Sequence, residues 1–140
     1  MAATAVPARG GNVLASIWAV FAGFLVVTIL SLGVDQVLHM TNVYPPWGEP
    51  MYDTKLNVLA LAYRLVFNTF GSYIMARLAP RNPMKHVWIG AVIGFGLTMA
   101  GAFAAMNQNL GPLWYPLALA VSAFPTAWLG GQLFLRSQNR

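Results

Sequence analysis

The chain contains no cysteine. That excludes disulfides, thiolate metal sites and a cysteine nucleophile, and it leaves the redox compartment open. Charge is nearly as scarce. Only 8% of the 140 residues are charged, against about 25% in soluble domains. So few charges cannot cover a water-facing surface, so lipid is the expected solvent. Acidic residues are the rarest charged type. Asp35, Glu49 and Asp53 are the complete set, and all three lie between residues 35 and 53.

What the chain has in quantity is apolar length. Four runs stand out: Val13–Val34, Leu56–Ala79, His86–Met106 and Leu113–Leu135. Each is long enough to cross a hydrocarbon core of about 30 Å at about 1.5 Å per residue. The first run is too long for a secretory h-region and ends in LGVDQV, with no small-residue cleavage pattern, so it reads as an uncleaved helix. The expected fold is all-α: one membrane domain over residues 1–140, a four-transmembrane-helix bundle with helices near 13–34, 56–79, 86–106 and 113–135. No linker or internal repeat divides it.

The connections carry the topology signal. Arg9, Arg77, Arg81, Lys85, Arg136 and Arg140 flank the apolar runs on one predicted side; Lys55 alone accompanies the acids of the 35–55 loop. Short loops rich in Lys and Arg stay in the cytoplasm. Both termini and the PRNPMKH turn (80–86) are therefore expected inside, and the 35–55 loop outside. Three prolines and Gly48 rule out a continuous helix through that loop, and Tyr44, Trp47 and Tyr52 suit headgroup depth. The net charge of +5 does not point to nucleic acid, because the basic residues form no helical stripe or aromatic-interleaved patch.

Arg64 is the sharpest feature. A charge inside an apolar helix costs about 2.5–3.5 kcal/mol even on insertion scales, so it faces the bundle interior and takes a partner. Asp35 closes the first helix on the same side and is the candidate. Two readings follow: a structural ion pair, or an Arg64 that receives a carboxylate, a phosphate or a lipid headgroup. Asn57, Leu61, Arg64, Asn68, Gly71 and Met75 share one helical face. Asn68, one turn deeper than Arg64, either lines a small polar cavity or serves as interhelical hydrogen-bonding glue.

Asp35 and His39 are spaced i,i+4 and, with Glu49 or Asp53, have ligand chemistry for a divalent metal. The Pro-Pro break leaves their geometry unspecified, and no metal or cofactor is assigned. His39 and His86 are expected on opposite sides, which argues against a haem held by both. Ser31 and Asp35 are also i,i+4, but without an imidazole they make no nucleophile–base pair. Gly90 and Gly94 form a GxxxG pair, and Gly101/Ala105 extends the small-residue pattern. These are expected helix-packing positions, within the chain or between chains.

The segments VYPPWGEPM (43–51), AYRLVF (62–67) and ARLAPRNPMKH (76–86) resemble those of small four-helix bacterial membrane proteins with no assigned activity. The resemblance spans most of residues 13–136. It implies a multi-pass inner-membrane location and carries across no catalytic or binding residue. The expected function is non-enzymatic: an accessory or binding subunit that engages a lipid, a small anion or a membrane-protein partner through an extracytoplasmic polar face. The ligand-binding candidates are Arg64, Asn68, Asp35, His39, Glu49 and Asp53. Expected partners are membrane lipids, with a homo-oligomer or larger membrane complex open. A small oligomeric transporter or channel is the alternative, and a membrane-embedded enzyme the third.

Overall fold

The computed structural model describes residues 9–109 and 111–138. The Arg140 charge of the basic tail lies outside the described residues, as does the start of the N-terminal segment. Four helices follow in order: α1 (Arg9–Met40), α2 (Thr54–Leu78), α3 (Pro83–Met106) and α4 (Trp114–Gln138). Each is long and apolar enough to cross a membrane. Large apolar side chains face outward along the helices, with Ile17, Phe21, Val66, Val92, Phe103 and Val121 all exposed.

The helix ends differ from the sequence expectation for local reasons. The first helix was expected to stop at Val34, but α1 runs on to Met40 and shortens the following loop to residues 41–53. DQVLHM contains no glycine or proline to stop it. Termination waits for Asn42, which turns left-handed at φ 63°, while the Val43 and Tyr44 N–H groups both return to the Leu38 carbonyl at 3.0 Å. Asparagine tolerates that conformation better than most side chains. Asp53 then caps α2, its Oδ1 accepting from the Lys55 N–H at 2.8 Å and from the Leu56 N–H at 3.4 Å. At the other end, Pro83 takes the first helical position of α3, where a missing N–H costs nothing, so α3 starts before His86.

The helices pack in the ring order α1–α2–α4–α3. α1 and α4 are not neighbours in that ring, and the α1–α3 side is the thinnest. Close approach is set by glycines. A Cβ added to Gly23 would lie 2.9 Å from the Gly71 carbonyl oxygen, and one on Gly71 would lie 2.8 Å from that of Gly23. One on Gly130 would strike the α2 backbone at Thr69 and lie 2.8 Å from the Tyr73 nitrogen. Met75, Ala76, Val87, Ala91 and Ala127 form the core, with Val20, Phe24 and Phe124 against it. Asp35, Glu49 and Asp53 lie toward one end of the bundle; Arg77, Arg81, Lys85 and Arg136 lie at the other.

Candidate functional site

Arg64 lies ten residues into α2, about 15 Å along the helix axis. Antiparallel packing of α1 on α2 brings Asp35 to it, and Arg64 Nη2 donates to Asp35 Oδ2 in an ion pair. The guanidinium does not rely on the carboxylate alone. Nη1 donates to Tyr115 Oη of α4 at 2.7 Å and to Tyr63 Oη at 3.3 Å. Its carbon also sits 5.2 Å from the Tyr63 ring centre and 5.9 Å from that of Tyr115. Tyr63 in turn donates to Asp35 Oδ1, so both carboxylate oxygens are engaged.

The loop closes over this cluster. Tyr44 is buried, with its hydroxyl 3.0 Å from that of Tyr63. Burial pushes the Tyr44 phenol above its usual pKa, and the Asp35 charge adds to that; the Tyr63 hydrogen bond and Arg64 pull the other way. Tyr63 carried a signal in the sequence, being the chain neighbour of Arg64. Tyr115 carried none, because its side chain reaches Arg64 only through the tertiary fold.

Below the pair lies a cavity of about 340 Å³, walled by all four helices. Arg64 and Asn68 line it from α2, Ser31 from α1 and Thr98 from α3. Ser31 is buried, and its hydroxyl is the one fully buried side-chain polar atom among the described residues with no hydrogen-bond partner. Asn68 likewise makes no side-chain hydrogen bond to another described residue. Asn68 therefore faces this cavity without bonding across to a neighbouring described helix. Gly90 and Gly94 line the same space. A Cβ on Gly90 would strike Met75, and one on Gly94 would lie 3.5 Å from the Phe24 ring. At its basic-end limit the cavity meets Met75 and Ala91 of the apolar core. Laterally it reaches the thin α1–α3 side, where Thr28, Leu32 and Leu97 line it and stay exposed.

The other sequence candidates stand apart. His39 shares α1 with Asp35, yet its ring stacks on Trp47 at 3.9 Å and Nδ1 contacts the Pro45 carbonyl at 2.5 Å. It holds the loop. Glu49 is exposed and Asp53 is occupied as the α2 cap. Among the described residues, no three His, Asp or Glu side chains come together to hold a metal. A Cβ added to Gly101 would meet nothing within 4 Å among the described residues, so they supply no partner for the expected packing role. His86 is buried, its Nδ1 at 3.1 Å from the Asn82 carbonyl and its Nε2 at 2.8 Å from Ser16 Oγ of α1. A carbonyl only accepts, so Nδ1 carries the proton, and in the neutral ring Nε2 accepts from the serine hydroxyl.

The chain matches no protein-family model, no curated protein and no solved structure. The chemistry of the site therefore has to come from its own residues.

Proposed function

We propose that this is a non-enzymatic, multi-pass protein of a bacterial inner membrane that binds an amphiphile in the cavity beneath Arg64. Both termini lie in the cytoplasm, and the acidic end with its 41–53 loop faces outward. The charge asymmetry supports that orientation. The carrying observation for the function is Ser31: a buried hydroxyl without a partner, in a cavity that also presents Asn68 and opens toward lipid. A buried polar group left unpaired costs about 1–3 kcal/mol, so a ligand that pairs it gains by binding.

The ion pair decides which ligand fits. Asp35 already balances the Arg64 charge, so a bare anion finds no net positive charge to neutralise. A polar but uncharged group, such as the ester carbonyls or hydroxyls at the base of a lipid headgroup, matches Ser31 and Asn68. Its chains would leave between α1 and α3 into the bilayer. Transport would call for a polar path through the bundle, and the cavity ends on Met75 and Ala91 instead. Catalysis would call for a base at Ser31, and its hydroxyl has no hydrogen-bonding neighbour.

The test compares lipids that co-purify with wild type, Asn68→Leu and Arg64→Lys at matched yield, by mass spectrometry. Asn68→Leu removes the cavity's amide without touching the ion pair and should abolish retention of the lipid held there. Arg64→Lys keeps the charge that balances Asp35 and leaves Ser31 and Asn68 in place, so it should still retain the lipid. The same lipid profile in all three would refute the cavity as a binding site.

A further inference from the structure

A second groove lies at the opposite end of the α1–α3 seam. It encloses about 590 Å³, and Phe24 stands between it and the cavity under Arg64, lining both. Its walls are apolar: Ile17 and Phe21 from α1, Ile89 and Ile93 from α3, all exposed on the face where lipid would lie. Its mouth is basic, with Arg81 in the turn before α3 and Lys85 in the first turn. Neither cation forms an ion pair with a described residue, since the one salt bridge there is Asp35–Arg64. Every acidic side chain is at the other end of the bundle. A hydrogen bond between Ser16 and His86 joins α1 to α3 in the lining of the groove.

We propose that this groove is a binding site for one anionic phospholipid, its phosphate between Arg81 and Lys85 and an acyl chain along Ile17, Phe21, Ile89 and Ile93. Charge complementarity selects the occupant. Two unpaired cations at the mouth of an apolar groove suit a headgroup with net negative charge over a zwitterionic one. A second copy of this chain fits less well, because its apolar helices would leave both cations unmatched. The inference needs the helices to lie in a bilayer, and it does not depend on what the Arg64 cavity binds.

The experiment uses the full chain in nanodiscs of phosphatidylcholine containing phosphatidylglycerol, with bound lipid counted by native mass spectrometry after release. Wild type should retain phosphatidylglycerol in preference to phosphatidylcholine. Arg81→Gln with Lys85→Gln should weaken that retention about thirtyfold, at about one basic-residue contribution per cation. Both positions are exposed, so folding should be unaffected. Ile89→Trp, also exposed, should displace the lipid by filling the groove, while Asn68→Leu should leave its retention unchanged. Equal retention of the two lipids by wild type would overturn the proposal. So would a phosphatidylglycerol signal lost in Asn68→Leu but kept in the Arg81/Lys85 variant, which would place the lipid in the other cavity. A dimer that Ile89→Trp dissociates without releasing lipid would assign the groove to a second copy.

Discussion

Arg64 of α2 and Asp35 of α1 form an ion pair whose partners are exposed by only 21% and 8%. Removing one member of a buried pair leaves the other uncompensated, which is costlier than removing both. Asp35→Asn should therefore destabilise the protein in detergent by about 2–4 kcal/mol, somewhat reduced by the partial exposure of Arg64. Arg64→Leu in that background should recover part of the loss. Thermal unfolding of the two single variants and the double variant checks this. Additive losses would mean that the two residues do not interact.

The pair was legible because a charge in an apolar helix demands a partner, and Asp35 was the acid within reach. The four helices were legible for the same reason: apolar length is a local property. Tyr115 was not, since its contact with Arg64 depends on how α4 settles against α2. The cavity was half legible. Asn68 announced a polar face, but the unpartnered state of Ser31 arises only from four-helix packing. His39 shares α1 with Asp35, as the i,i+4 spacing implied, but not the cluster around Arg64. Its ring instead turns to Trp47, which the Pro45–Pro46 bend brings back over the end of α1.

The glycines separate into two kinds. Gly130 is packed against α2 backbone, which cannot move aside as a side chain can, so Gly130→Val should force the α2–α4 seam apart. A loss of about 2 kcal/mol or more is expected, in the range of core overpacking. Gly101→Ala should be neutral or stabilising by up to about 1 kcal/mol, since alanine is the better helix former and nothing stands near it. Melting temperatures in one detergent would test both. A destabilising Gly101→Ala would indicate a packing partner outside this chain.

Orientation is open to a direct experiment. Reporter fusions after Pro80 and at the C-terminus should report cytoplasm, and fusions near Gly48 and Asn109 should report the far side. The basis is the separation of Arg77, Arg81, Lys85 and Arg136 from Asp35, Glu49 and Asp53. A cytoplasmic signal at Gly48 would invert the protein and move the Arg64 cavity to the inner leaflet.

Tyr44 links the loop to pH. Its phenol is held above the usual value of 10.0, chiefly by burial. A raised acid pKa means that the folded state favours the neutral phenol. The contribution to stability is complete below about pH 10 and is lost as pH climbs through the folded-state value. Tyr44→Phe removes this contribution along with one hydrogen bond, for a loss of about 1 kcal/mol at neutral pH. The stability gap between wild type and Tyr44→Phe should narrow above pH 10, as read from melts across an alkaline series. A gap that stays constant would show that Tyr44 does not titrate in that range.

Ser31 offers the most discriminating change. Ser31→Ala removes a buried hydroxyl that has no partner. In detergent stripped of lipid, that should stabilise the protein by about 1 kcal/mol, because the desolvation cost of the unpaired group disappears and alanine favours the helix. In the presence of lipid the sign should reverse. If the hydroxyl pairs with a bound amphiphile, Ser31→Ala loses that bond, and lipid should raise its melting temperature less than it raises that of wild type. A merely structural serine predicts one sign under both conditions. Melts of the two proteins, stripped and after lipid is restored, distinguish the cases. The same upward shift with and without lipid would mean that nothing in the cavity uses Ser31, and the binding reading would lose its main support.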